Sequence, residues 1–160
     1  MPSLTRRDLL TFALPGLAVL SAGMGVAGWD LLRQQEGLFA LSVQSIAGLA
    51  LVVTGTAIRL VAAGTLRRSY SSTLMIRDGH RLITHGLYRF ARHPIYLGAI
   101  MTCVGVPLYA SSVVGLLIMS GLIPLVLRRI SAEERMLTEA FGDAYLEYVK
   151  VTSRLIPFIY

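Results

Sequence analysis

All three histidines of the chain fall between positions 80 and 93, inside the string His80-Arg81-Leu82-Ile83-Thr84-His85-Gly86-Leu87-Tyr88-Arg89-Phe90-Ala91-Arg92-His93-Pro94-Ile95-Tyr96-Leu97-Gly98. Pro94 suits the first turn of a helix, where its missing N–H costs nothing. His93 then stands at the helix N-terminus, beside the positive end of the dipole and free backbone donors, a place that favours an anionic group such as a carboxylate. Tyr96 brings a ring and a hydroxyl into the first two turns, and Gly98 permits close approach. The same residues also suit a plainer role, since tyrosines and arginines anchor helix ends at a membrane surface and a histidine there is often simply solvated. Spacings of five and eight residues do not make a compact pair of histidine ligands, and Asp78 is the one acid nearby, so no metal is expected. Cys103 is the only cysteine, which excludes an intramolecular disulfide and any cysteine-based zinc site. It lies in an apolar run as a buried, inert thiol.

A second polar cluster is Arg128-Arg129-Ile130-Ser131-Ala132-Glu133-Glu134-Arg135. On a continuing helix Arg129 and Glu133 are four apart and share a face. One reading is a surface ion pair at a membrane boundary, worth a few tenths of a kcal/mol. The other is a paired polar site at membrane depth, with Arg129 holding an acidic acceptor and Glu133 accepting from amine or hydroxyl groups of a cofactor. Spacing alone leaves both open.

The elements that must position these residues are apolar. The chain of 160 residues is long enough for one domain, is 54% hydrophobic and only 15% charged, and has a mean hydropathy of +0.64. A soluble domain has little use for so much apolar surface, whereas a bilayer accepts it on the lipid-facing side. Four segments are candidates for crossing, at about 9–27, 38–63, 95–110 and 112–127. The last two fall short of the ~20 residues a straight span needs and look like a tight helical hairpin. Pro107 and Pro124 lie inside them, where neighbouring helices can supply lost partners. The expected fold is all-α: a polytopic transmembrane bundle of about four spans, with a cytoplasmic cofactor-binding loop and a C-terminal interfacial helix.

Net charge is +6, and every basic residue except Lys150 is arginine. The arginines sit between apolar stretches instead of forming a continuous basic face, which argues against nucleic acid. Arg6 and Arg7, the six arginines of 64–94, and the basic residues after 128 place both termini and the long loop in the cytoplasm. Arg59, one turn from its helix end, can snorkel. Thr5-Arg6-Arg7-Asp8-Leu9-Leu10 looks like a twin-arginine export signal, but the further apolar segments point to an anchor that stays in place. Met136, Leu137, Phe141, Tyr145 and Tyr148 recur at helical spacing among acids, as in an amphipathic interfacial helix bent at Gly142.

Taken together, the strings His80 to Tyr88, Arg92 to Gly98, Arg129 with Glu133-Glu134, Phe141-Gly142-Asp143-Ala144-Tyr145-Leu146-Glu147-Tyr148 and Arg154-Leu155-Ile156-Pro157 resemble the isoprenylcysteine carboxyl methyltransferase family. That family sits within a broader group of integral-membrane methyltransferases including phospholipid N-methyltransferases. The resemblance covers about the last 80 residues. It implies S-adenosylmethionine as cofactor and a lipophilic small molecule or lipid as acceptor. It implies that His80, Leu82, Ile83, Tyr88, His93, Tyr96 and Glu133 line the cofactor pocket and that Arg129 faces the acceptor, these last two being the catalytic pair. Residues 1–63 are expected as N-terminal transmembrane helices and 64–160 as the catalytic core. The short N-terminal half carries no motif of the family and is brief in a way that suits a prokaryotic inner-membrane enzyme facing the cytoplasm. A membrane sterol-type reductase using a nicotinamide cofactor carries a similar arginine-histidine-proline string and is the alternative enzyme. A non-enzymatic membrane subunit would leave the polar loop without a purpose.

Overall fold

Glycines seven residues apart bring two apolar helices into backbone contact at the centre of the molecule. The computed structural model describes residues 9–33, 42–66, 82–157 and 159. A turn of π-helix, Leu9–Ala13, leads into α1 (Leu14–Arg33), and α2 follows (Val43–Leu66). After a 3-10 turn at Gly86–Arg89 come α3 (Pro94–Tyr109), α4 (Val113–Ser120), α5 (Leu122–Phe141) and α6 (Asp143–Val151). There is no strand among the described residues, only an isolated parallel bridge between Ala91 and Ser153.

The most extensive packing is α2 against α3. A Cβ added at Gly55 would lie 2.7 Å from the Gly98 carbonyl oxygen, and one at Gly105 would lie 2.7 Å from that of Gly48. Lipid tails are as apolar as leucine, so helices in a membrane associate through such close van der Waals contact at small residues. The central helix α3 also meets α1, α4 and α5. On the far side α1 packs on α4, where Gly23 admits the side chain of Met119. The outward faces of α1, α2 and α4 expose Leu17, Leu32, Val43, Leu60 and Leu117, as lipid-facing surfaces should.

Three helices among the described residues are long and apolar enough to cross a membrane: Thr11–Arg33, Val43–Leu66 and Val113–Phe141. The protein is a multi-span membrane protein. Of the expected hairpin, α3 is confirmed as short, 16 residues or about 24 Å at 1.5 Å per residue. The final segment, expected to end near 127, instead continues as one candidate span of 29 residues. It bends where α4 meets α5 at Gly121, just ahead of Pro124. Proline cannot donate to the preceding turn, so the break falls where that bond is missing. The α3–α4 turn is fastened by Ser112, which caps α4 by accepting from the Gly115 N–H at 3.0 Å and donates to Asp30 of α1. Burial makes both bonds valuable, since Ser112 is among the fully buried side chains.

At the other end Gly142 takes φ +53°, which ends α5 and turns the chain into α6. The expected bend is therefore there, and α6 buries Tyr145 and Tyr148 while exposing Leu146 and Val151.

Candidate functional site

Pro94 does open α3, with His93 as its N-cap residue, and this start aims Tyr96 at α5. The Tyr96 hydroxyl donates to Glu133 Oε2 at 2.9 Å, and the Arg129 guanidinium lies near enough to the same hydroxyl to act on it electrostatically. Arg129 and Glu133 lie four apart on α5 and so share a face. Tyr96 joins them across the helix interface, and all three are half-buried. Glu133 therefore reaches across to α3.

One residue further along, Glu134 gathers a second cluster. Its Oε1 accepts from Arg92 Nε at 3.0 Å, and its Oε2 is 2.9 Å from an Arg154 terminal nitrogen. His93 Nε2 approaches Oε1 at 3.4 Å without forming a hydrogen bond. Arg92 also donates to the carbonyls of Val149 and Thr152, and its own N–H bonds the Ser153 carbonyl at 2.9 Å. Arg154 donates to Ser131 Oγ at 2.7 Å. The anionic group expected beside His93 is thus supplied by the protein itself as Glu134. A shallow cavity of about 340 Å³ opens beside this cluster. Glu134, Glu139, Arg135 and Arg154 line it with both signs of charge, so it has no preference for either.

The remaining expected residues divide. Tyr88 is buried, its hydroxyl 3.5 Å from the Ala62 carbonyl of α2, and its own carbonyl accepts from Tyr148 at 2.6 Å. It fastens the 3-10 turn between α2 and α6. Leu82 and Ile83 are half-buried in the segment leading to that turn. His80 lies outside the described residues. His93 is 4% exposed, and its ring stands 5.8 Å from that of Tyr96.

Three contributors were not singled out from the sequence as site residues. Arg92 and Arg154 stood in the motif strings without a role, and their shared partner Glu134 joins segments distant in sequence. Tyr145 was read as part of an amphipathic interfacial helix, yet it is 2% exposed and its hydroxyl has no hydrogen-bond partner among the described residues. Burial, then the nearby Glu134 carboxylate, raise its pKa, so it stays a neutral donor. Among the described residues the Tyr145 hydroxyl has no hydrogen-bond partner, and His93 Nε2 has only its 3.4 Å approach to Glu134, both beside a charged cluster. Buried polar atoms of this kind are normally satisfied by a ligand or ordered water.

Comparison with known proteins extends this geometry. The model of the isoprenylcysteine carboxyl methyltransferase (ICMT) family matches residues 48–139, from within α2 to near the end of α5. A probable protein-S-isoprenylcysteine O-methyltransferase of Oryza sativa subsp. indica is 36% identical over 122 residues, covering 72% of this chain and 62% of that protein. Protein-S-isoprenylcysteine O-methyltransferase A of Arabidopsis thaliana is 33% identical over 115 residues, covering 70% and 58%. The chain therefore spans about three fifths of the length of these relatives. The structure of a eukaryotic intramembrane Ras methyltransferase, ICMT, superimposes with a TM-score of 0.78 at 25% identity over 91% of this chain and 53% of that one. The matched region contains Arg92, His93, Tyr96, Arg129, Glu133 and Glu134, and its helices superimpose on those that carry them here: the chain belongs to the isoprenylcysteine carboxyl methyltransferase family.

Proposed function

We propose that this protein transfers a methyl group from S-adenosylmethionine to the carboxylate of a lipophilic, isoprenylcysteine-like acceptor. The observation that carries the reading is the Tyr96–Glu133 hydrogen bond between α3 and α5, with Arg129 close by on the same face of α5. Bound S-adenosylmethionine supplies a sulfonium methyl already activated for in-line displacement. The chain's task is then positioning, desolvation and electrostatics.

Glu133 accepts from the cofactor's amine or hydroxyls, and Tyr96 aims that carboxylate. His80, Leu82, Ile83, Tyr88 and His93 complete the cofactor pocket. Arg129 meets the acceptor carboxylate and orients its oxygen. A carboxylate is deprotonated at neutral pH, so no general base is required of the chain. The reading places 64–160 as the catalytic core and 1–63 as transmembrane helices that complete the acceptor side. Arginine placement faces the site toward the cytoplasm, in the inner membrane if the source is prokaryotic.

The test is labelled-methyl transfer from S-adenosylmethionine into a farnesylcysteine analogue and, separately, into membrane lipid extract. Base-labile label released as methanol is expected, marking an ester; stable label marks N- or S-methylation and overturns the carboxylate acceptor. Glu133→Ala should abolish S-adenosylhomocysteine binding, and Arg129→Ala should spare that binding while impairing acceptor use. Binding of a nicotinamide nucleotide in place of S-adenosylhomocysteine would refute methyl transfer.

A further inference from the structure

The N-terminal turn lies ahead of the segment matched by the family model and carries no motif, yet it reaches the site. Residues Leu9–Ala13 form π-helix, a rare geometry that occurs mostly as single turns. The turn ends on Phe12 and Ala13 and continues directly into α1. Seven and eleven residues beyond Phe12, Val19 approaches Gly121 and Gly23 packs on Met119, so this face of α1 runs along α4 and the start of α5. Phe12 extends that face to the centre of α5, where its ring centroid lies 5.4 Å from the guanidinium carbon of Arg129.

We propose that Phe12 is a positioning residue of the acceptor site, its ring holding the Arg129 guanidinium in the plane that receives an acceptor carboxylate. This rests on the assignment of Arg129 to the acceptor. A guanidinium recognises a carboxylate through two parallel N–H bonds, which requires its plane to be set. The Phe12 ring lies against it from the N-terminal turn. The ring is only half-buried, so the acceptor's apolar chain can lie against its remaining surface. The turn Leu9–Ala13 thereby contributes an aromatic face to acceptor recognition.

The experiment compares Phe12→Leu and Phe12→Tyr with the parent in the full chain, reconstituted in bilayers. Leucine keeps apolar bulk without an aromatic face, whereas tyrosine keeps the face. For a farnesylcysteine carboxylate, Phe12→Leu should raise the acceptor KM roughly three- to tenfold, the range of a partly desolvated cation–π contact. The KM for S-adenosylmethionine and kcat should stay within about twofold, and Phe12→Tyr should restore the parent value. An acceptor KM for Phe12→Leu equal to that of the parent overturns the proposal, as does an equal loss in Phe12→Leu and Phe12→Tyr. Binding of the carboxylate to protein loaded with S-adenosylhomocysteine provides the same comparison without turnover. A parent that methylates no carboxylate refutes the proposed function; a parent that turns over while Phe12→Leu is unaffected refutes only the role of Phe12.

Discussion

Tyr96 donates its hydroxyl to Glu133 close beside the Arg129 guanidinium, so its removal frees that carboxylate next to the cation. Hydrogen bonds to charged partners contribute about 1.5–3 kcal/mol each. Tyr96→Phe keeps the ring and its packing beside His93 but should lower kcat/KM at least tenfold, read by steady-state methyl transfer. An unchanged value would remove Tyr96 from the site. The arrangement also explains why adjacent glutamates on α5 do different things. Glu133 meets Tyr96, while Glu134, about 100° further round the helix, is taken by Arg92 and Arg154. The motif places both acids side by side, and only the identity of the facing side chains separates a carboxylate bonded by Tyr96 from one held by two arginines.

At the scale of elements, α3 presents Tyr96 to α5 only because its opposite side is pressed against α2. Gly48, Gly55 and Ala62 of α2 repeat every seven residues, and Gly98 and Gly105 of α3 answer them at the same interval. Gly55→Ala would place a methyl 2.7 Å from the Gly98 carbonyl oxygen, against backbone that cannot swing away. Overpacking of this kind costs about 1–3 kcal/mol. Thermal unfolding in detergent should show a lowered Tm together with weakened S-adenosylhomocysteine binding as α3 shifts. Gly64→Ala on the same helix meets nothing within 4 Å among the described residues and should leave both unchanged. Equal behaviour of the two variants would mean that the close contact does not set the position of α3. These glycines are plain in the sequence, but their use is not, because a small residue in an apolar helix acquires meaning only from what approaches it.

Across the whole molecule, the C-terminal segment returns to the residues just ahead of α3 and to α5. Ser153 bridges Ala91, Arg154 reaches Glu134, and the Tyr148 hydroxyl donates to the Tyr88 carbonyl at 2.6 Å. Burial pushes the Tyr148 hydroxyl up to about 12. Its folded pKa exceeds the unfolded value, so the stability it contributes is fully present below about pH 10 and declines as pH rises toward 12. Tyr148→Phe leaves the buried Tyr88 carbonyl without this donor, at a cost of about 1–2 kcal/mol near neutrality. Thermal melts from pH 7 to 12 should show the variant less stable at neutral pH and less sensitive to the alkaline range. Parallel curves for parent and variant would show that Tyr148 does not couple to the alkaline loss.

The chain itself determined membrane residence, helical class, the helix start at Pro94, the bend at Gly142 and the shared face of Arg129 and Glu133. Each follows from hydropathy or from backbone rules acting within a few residues. What it left open were the length of the last apolar helix, the partners of the two glutamates and any role for the N-terminal turn. Those depend on which surfaces meet across 37 residues between Tyr96 and Glu133, and across far more between Phe12 and Arg129. Periodicity records the face a residue occupies but not the residue opposite. The acceptor-side contact of Phe12 and the return of Arg154 to Glu134 were therefore decided by tertiary packing alone, because a contact between distant segments leaves no spacing in the sequence.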